Sequence, residues 1–100
     1  MRIFVFFDLP VKDKRARYYA SRFRRDLLNN GYNMLQLSVY YRICKGIDSV
    51  EKHIKSLTCY VPPKGSVRVL TVTDSQYERM FTLVGTKKLQ ETTHEQLLLF

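Results

Sequence analysis

The sequence predicts an α+β domain in which two split βαβ units share one antiparallel sheet, with both helices on the same face. Three observations predict it. An apolar run, Ile3-Phe4-Val5-Phe6-Phe7, closes on Asp8 and Pro10. Two stretches with helical apolar spacing follow, near 13–30 and 46–59, divided by a segment rich in Tyr, Leu and Val. After the second of them comes a cleanly alternating run, Val67 to Thr73.

Each element has a local cause. Residues 3–8 are apolar, aromatic and β-branched, and read as a strand buried on both faces. Asp13 then caps a helix running to about Asn30. Its Ala16, Tyr19, Ala20, Phe23 and Leu27 recur at three- and four-residue steps, and Asn29-Asn30-Gly31 stops it. Residues 32–44 are too long and too broken for one strand. They read as two, about 32–36 and 39–45, turning at Leu37-Ser38. Gly46-Ile47-Asp48 opens a second helix to about Cys59 with the stripe Val50, Ile54 and Leu57. Pro62-Pro63-Lys64-Gly65 is a loop before the alternating strand, and a short further strand is expected near 79–84. The order β-α-β-β-α-β is the ferredoxin-like pattern, assigned to residues 1–85. Residues 86–100 form an extension whose end, Leu97-Leu98-Leu99-Phe100, is expected to dock, on a partner subunit by preference or on the chain's own core.

Composition narrows the function. The chain has 100 residues, formal charge +8 and a pI near 9.7, which points to polyanionic partners, nucleic acid first and an anionic membrane second. Cys44 and Cys59 form no CxxC pair, and His53 and His94 stand apart, which argues against a structural zinc site. The first apolar run is too short for a signal-peptide core or a membrane span, so a cytoplasmic protein with reduced thiols is expected. No nucleophilic triad, phosphate-binding glycine loop or RNA-recognition aromatic signature is visible; Phe4 and Phe6 read as core.

The topology brings chemistry together at one sheet edge. The end of the first strand (Asp8), the Ser38 turn, the Pro62–Gly65 loop and Lys12, Lys14 and Arg15 all fall there, with Asp74 at the opposite edge. The first helix carries Arg15 and Arg22 on one face and Arg17 and Arg24 on the next, two outward rows suited to bidentate phosphate contacts. Asp8 is open to two readings, a divalent metal ligand or an ion pair to Lys12 or Arg15. Mg²⁺ accepts one or two carboxylates with water completing its shell, and a two-fold dimer would bring two copies of Asp8 together.

These residues resemble the CRISPR-associated protein 2 family. The resemblance rests on Phe7-Asp8-Leu9-Pro10, on Arg15 and Arg17 in the first helix, on Gly31 after it, and on Met34-Leu35-Gln36-Leu37-Ser38-Val39-Tyr40; members accompanying type II systems look most similar. It implies a ferredoxin-like homodimer that bridges dimers of the CRISPR-associated integrase, protein 1, and holds duplex foreign DNA during spacer acquisition. It further implies that Asp8 from both protomers shares a Mg²⁺ ion, as catalytic and metal residue of an endonuclease acting on RNA, including single-stranded RNA, or on DNA. Lys12, Lys14, Arg15, Arg17 and Arg22 are then the nucleic-acid contacts. Ser38, Tyr40 and Leu97 to Phe100 are assigned to the dimer interface, the last as strands added to the partner's sheet. The sequence departs from the family where Tyr41 and Arg42 follow Tyr40 in place of an aromatic–acidic pair. That removes a second carboxylate and favours the scaffolding role over catalysis. A separate reading, by analogy of fold alone, is a toxin-like messenger endoribonuclease.

Overall fold

The structure is a computed structural model and describes residues 1–85. Its elements are β1 (Arg2–Asp8), α1 (Lys14–Asn29), β2 (Asn33–Gln36), β3 (Val39–Ile43), α2 (Ile47–Leu57), a 3₁₀ turn (Thr58–Tyr60), β4 (Ser66–Val72) and α3 (Asp74–Glu78). The sheet order is β2-β3-β1-β4, and every neighbouring pair is antiparallel. This is the ferredoxin-like topology expected from the sequence.

Local chemistry accounts for the boundaries. The Asp13 carboxylate accepts the Ala16 amide at 2.8 Å and satisfies a donor left free at the start of α1. Gly31 leaves the helix at φ +86, a conformation that disfavours a side chain. The Arg42 guanidinium lies against that Gly31 and donates to the Asn30 carbonyl, tying β3 to the end of α1. The chain then pairs back from β2 into β3 across Leu37-Ser38, with a register shift between Met34 and Gln36.

The pleat of β1 sorts its side chains. Ile3, Val5 and Phe7 face the helices and form the core with Phe23, Leu27, Tyr32, Tyr40, Val50 and Leu57. Phe7 meets Phe23 edge-on at 5.0 Å between ring centroids. The other row, Arg2, Phe4, Phe6 and Asp8, lies on the helix-free face. Phe4 is covered there by Tyr41 and Tyr77, but Phe6 is 37% exposed and Asp8 is exposed, so β1 is not buried on both faces along its length.

The region after β4 departs from the sequence expectation. Residues 79–84 form no strand. Instead, Thr73 and Gln76 close a capping box: the Thr73 side chain accepts the Gln76 amide at 3.1 Å, and the Gln76 side chain accepts the Thr73 amide at 2.8 Å. That box commits residues 74–78 to a helical turn. Arg2 and the N-terminal ammonium both pair with Asp74 at 3.5 Å, and Arg2 lies over the Tyr77 ring at 3.8 Å, which pins α3 beside β1. The expected docking residues Leu97, Leu98, Leu99 and Phe100 lie outside the described residues, as do Lys87, Lys88 and His94.

Candidate functional site

Asp8 is the last residue of β1 and pairs in register with Ser66 at the start of β4. The Phe7 amide donates to the Ser38 carbonyl at 3.1 Å, which brings the β2–β3 turn to the same end. Gly65, at φ +95, sits so close that a Cβ there would stand 2.7 Å from the Asp8 carbonyl oxygen. The edge inferred from strand order is therefore assembled by backbone contacts, and Asp74 lies at the far end beside Arg2.

Around that edge the charge is cationic. Lys12, Lys14, Arg15 and Arg17 are all exposed and form no ion pair among the described residues. Arg17 donates to the Val11 carbonyl at 3.2 Å and braces the β1–α1 loop. Arg15 lies over the Tyr19 ring at 5.8 Å, and its hydrogen bond to Tyr19 raises its pKa further above the usual value. Arg22 pairs with Asp26 at 3.9 Å, one turn on along α1.

Arg24 corrects the picture of two outward rows. It is half-buried: its Nε donates to the Leu37 carbonyl at 3.2 Å and its guanidinium stacks 5.5 Å above the Phe7 ring. It clamps the β2–β3 turn onto the strand that ends in Asp8. Sequence spacing alone puts it beside Arg17; the signal for its inward use is the turn carbonyl, which only the tertiary fold supplies.

Asp8 makes no ion pair among the described residues, so the pairing to Lys12 or Arg15 is not formed. Nor do the described residues gather three or more His, Cys, Asp or Glu side chains able to hold a metal. Asp8 is an exposed carboxylate, and one such group can serve a Mg²⁺ ion that keeps most of its water shell.

Tyr40 is 2% exposed and packs on Phe7, so its ring belongs to this chain's own core, while Ser38 is half-exposed at the turn. On the helix-free face Phe6, Leu35 and Leu70 stand exposed around a cavity of about 310 Å³ that α3 only partly covers. At the end of the 3₁₀ turn, burial pushes the Tyr60 hydroxyl up to about 12, and on α2 burial with the charges of Arg42 and Lys52 lowers His53. Cys44 is buried and Cys59 exposed, both as free thiols. Among the described residues no helix is long and apolar enough to cross a membrane.

Comparison with known proteins places this arrangement. The family model described as CRISPR associated protein Cas2 matches residues 1–80. A CRISPR-associated endoribonuclease Cas2 from Acidovorax ebreus (strain TPSY) is 53% identical over 91 residues, covering 91% of this chain and 89% of that protein. A protein of the same name from Parvibaculum lavamentivorans is 46% identical over 102 residues, covering 100% of both chains. The crystal structure of Streptococcus pyogenes Cas2 at pH 6.5 superimposes with a TM-score of 0.62 at 21% identity, over 84% of this chain and 100% of that one, which establishes likeness of fold.

Proposed function

This chain belongs to the CRISPR-associated Cas2 family, and from that premise we propose that it acts in spacer acquisition as a homodimeric scaffold gripping the backbone of duplex DNA. A general role in CRISPR adaptation comes with the family. The observation that carries the finer reading is the exposed, unpaired cluster of Lys12, Lys14 and Arg15 beside a strand end with a single carboxylate. Such cations neutralise phosphates without reading sequence. The exposed apolar helix-free face supports the homodimer, since a domain this small gains stability by burying such a surface against a second copy. The integrase, protein 1, enters as partner through the family resemblance, and the dimer would bridge its copies. The test is duplex binding across a salt series: a steep loss of affinity supports the scaffold, and a flat response removes it.

A second reading rests on Asp8 and on the endoribonuclease name that the relatives carry. Asp8 of both protomers would hold Mg²⁺, which supplies charge stabilisation and water activation at a phosphodiester of RNA or DNA when bound. Lys12 and Arg15 would position that phosphodiester. Cleavage that requires Mg²⁺ and is lost in Asp8→Asn supports it; equal cleavage by the variant discards it. Family membership sets the toxin-type messenger ribonuclease behind both readings.

A further inference from the structure

A groove separate from the helix-free sheet face runs between α1 and the loop after the 3₁₀ turn. Its main cavity, about 290 Å³, is walled by Leu9, Pro10, Ala16, Tyr19, Pro62 and Pro63. A second cavity of about 210 Å³ continues past Tyr19 and the two prolines to Arg22 and Tyr60. The chain's own carboxylates are already engaged there. Asp13 caps α1, and Asp26 pairs with Arg22. Arg15 and Lys64 line the main cavity and have no ion-pair partner among the described residues.

We infer that this groove receives an extended acidic peptide from a partner protein, seating one apolar side chain between the prolines and α1 and setting a carboxylate against Lys64, while Arg15 at the rim stays with the DNA backbone. The main cavity lies near the lower limit for small-molecule sites, roughly 300 Å³, a size suited to a single anchoring side chain. An apolar anchor ringed by polar contacts is how interfaces concentrate their energy. The charge complementarity selects an acidic partner, and the net charge of +8 speeds its approach. A nucleic-acid base fits the cavity less well: bases stack on open aromatic faces, whereas these walls are mostly aliphatic and proline, and the Tyr19 ring already carries Arg15.

The test selects peptides from a random phage-displayed library on the immobilised full chain. The labelled consensus peptide is then measured by fluorescence anisotropy. The expected consensus is one Leu, Phe, Met or Trp flanked by Asp or Glu. Ala16→Leu, which fills the cavity with a good helix former, and Lys64→Glu should each weaken the peptide by about tenfold or more. Duplex-DNA binding by Ala16→Leu should not change. If Ala16→Leu fails to fold, Lys64→Glu with the Lys64→Arg rescue carries the test. Three results overturn the inference: no consensus, or a consensus peptide indifferent to both variants; oligothymidylate that moves the amide resonances of Ala16 and Lys64 where the peptide does not; or tighter peptide binding by Leu98→Asp, which would make the chain's own terminus the occupant.

Discussion

Arg24 and Arg15 sit on the same helix and carry the same charge, yet Arg24 is turned in against the Leu37 carbonyl and Phe7 while Arg15 stands exposed. Arg24→Ala removes the 3.2 Å bond to the Leu37 carbonyl and the stacking on Phe7. The bond contributes about 0.5–1.5 kcal/mol and the cation–π contact about 0.5–1 kcal/mol, together about 1–2.5 kcal/mol. In a domain of this size that lowers Tm by about 5–15 °C at fixed protein concentration. The salt dependence of duplex binding should hardly move, because Arg24 faces the turn. Arg15→Ala should do the reverse. Its Tm should stay close to wild type, and on the proposed dimer the slope of log K against log salt should flatten by about 1.8, because each protomer would then leave one phosphate unneutralised. Calorimetry and anisotropy titrations read both quantities on the same samples. A flattened slope with unchanged Tm for Arg24→Ala would refute the clamp and return Arg24 to the outward row.

Other outcomes follow from the same geometry. Asp8→Asn should leave Tm unchanged, since the carboxylate has no ion-pair partner among the described residues, while abolishing any Mg²⁺-dependent cleavage; a marked fall in Tm would reveal a structural role for Asp8 instead. Gly65→Ala should cost about 1–3 kcal/mol, because φ +95 and the Asp8 carbonyl at 2.7 Å leave no room for a methyl group, and urea midpoints measure it. Tyr60 holds its proton up to about 12 when folded against 10.0 for the ordinary phenol. Between those values the folded chain keeps a proton that the unfolded chain releases, so its contribution is complete below pH 10 and is lost as pH rises towards 12. Tyr60→Phe should therefore be less alkali-sensitive than wild type, and parallel alkaline stability curves would contradict the burial of that hydroxyl.

Much of the frame is legible because its causes are local. The Asp13 cap, the 3.6-residue stripe through Phe23 and Leu27, the break at Leu37-Ser38 and the alternation in β4 are each written within a few residues. Given the element order, the meeting of Asp8, Ser38 and Gly65 at one edge follows from topology. The remainder depends on distant partners or on competition between two local signals. Thr73-Asp74-Ser75-Gln76 is a capping-box pattern standing in the sequence, and it outweighs the apolar residues 80–84 that suggest a strand. The inward turn of Arg24 depends on a carbonyl 13 residues away, and the exposure of Phe6 depends on which face the helices leave bare.

The most direct test of the scaffold is duplex-DNA affinity measured from low to moderate salt, with Mg²⁺ and with chelator, and the DNA recovered afterwards on a denaturing gel. With Lys12, Lys14 and Arg15 of both protomers each engaging a phosphate, the slope of log K against log salt should be about −5 in either condition, and the DNA should be recovered intact. A slope near zero, or binding that disappears with the chelator, would contradict a backbone-gripping dimer built on that cationic edge.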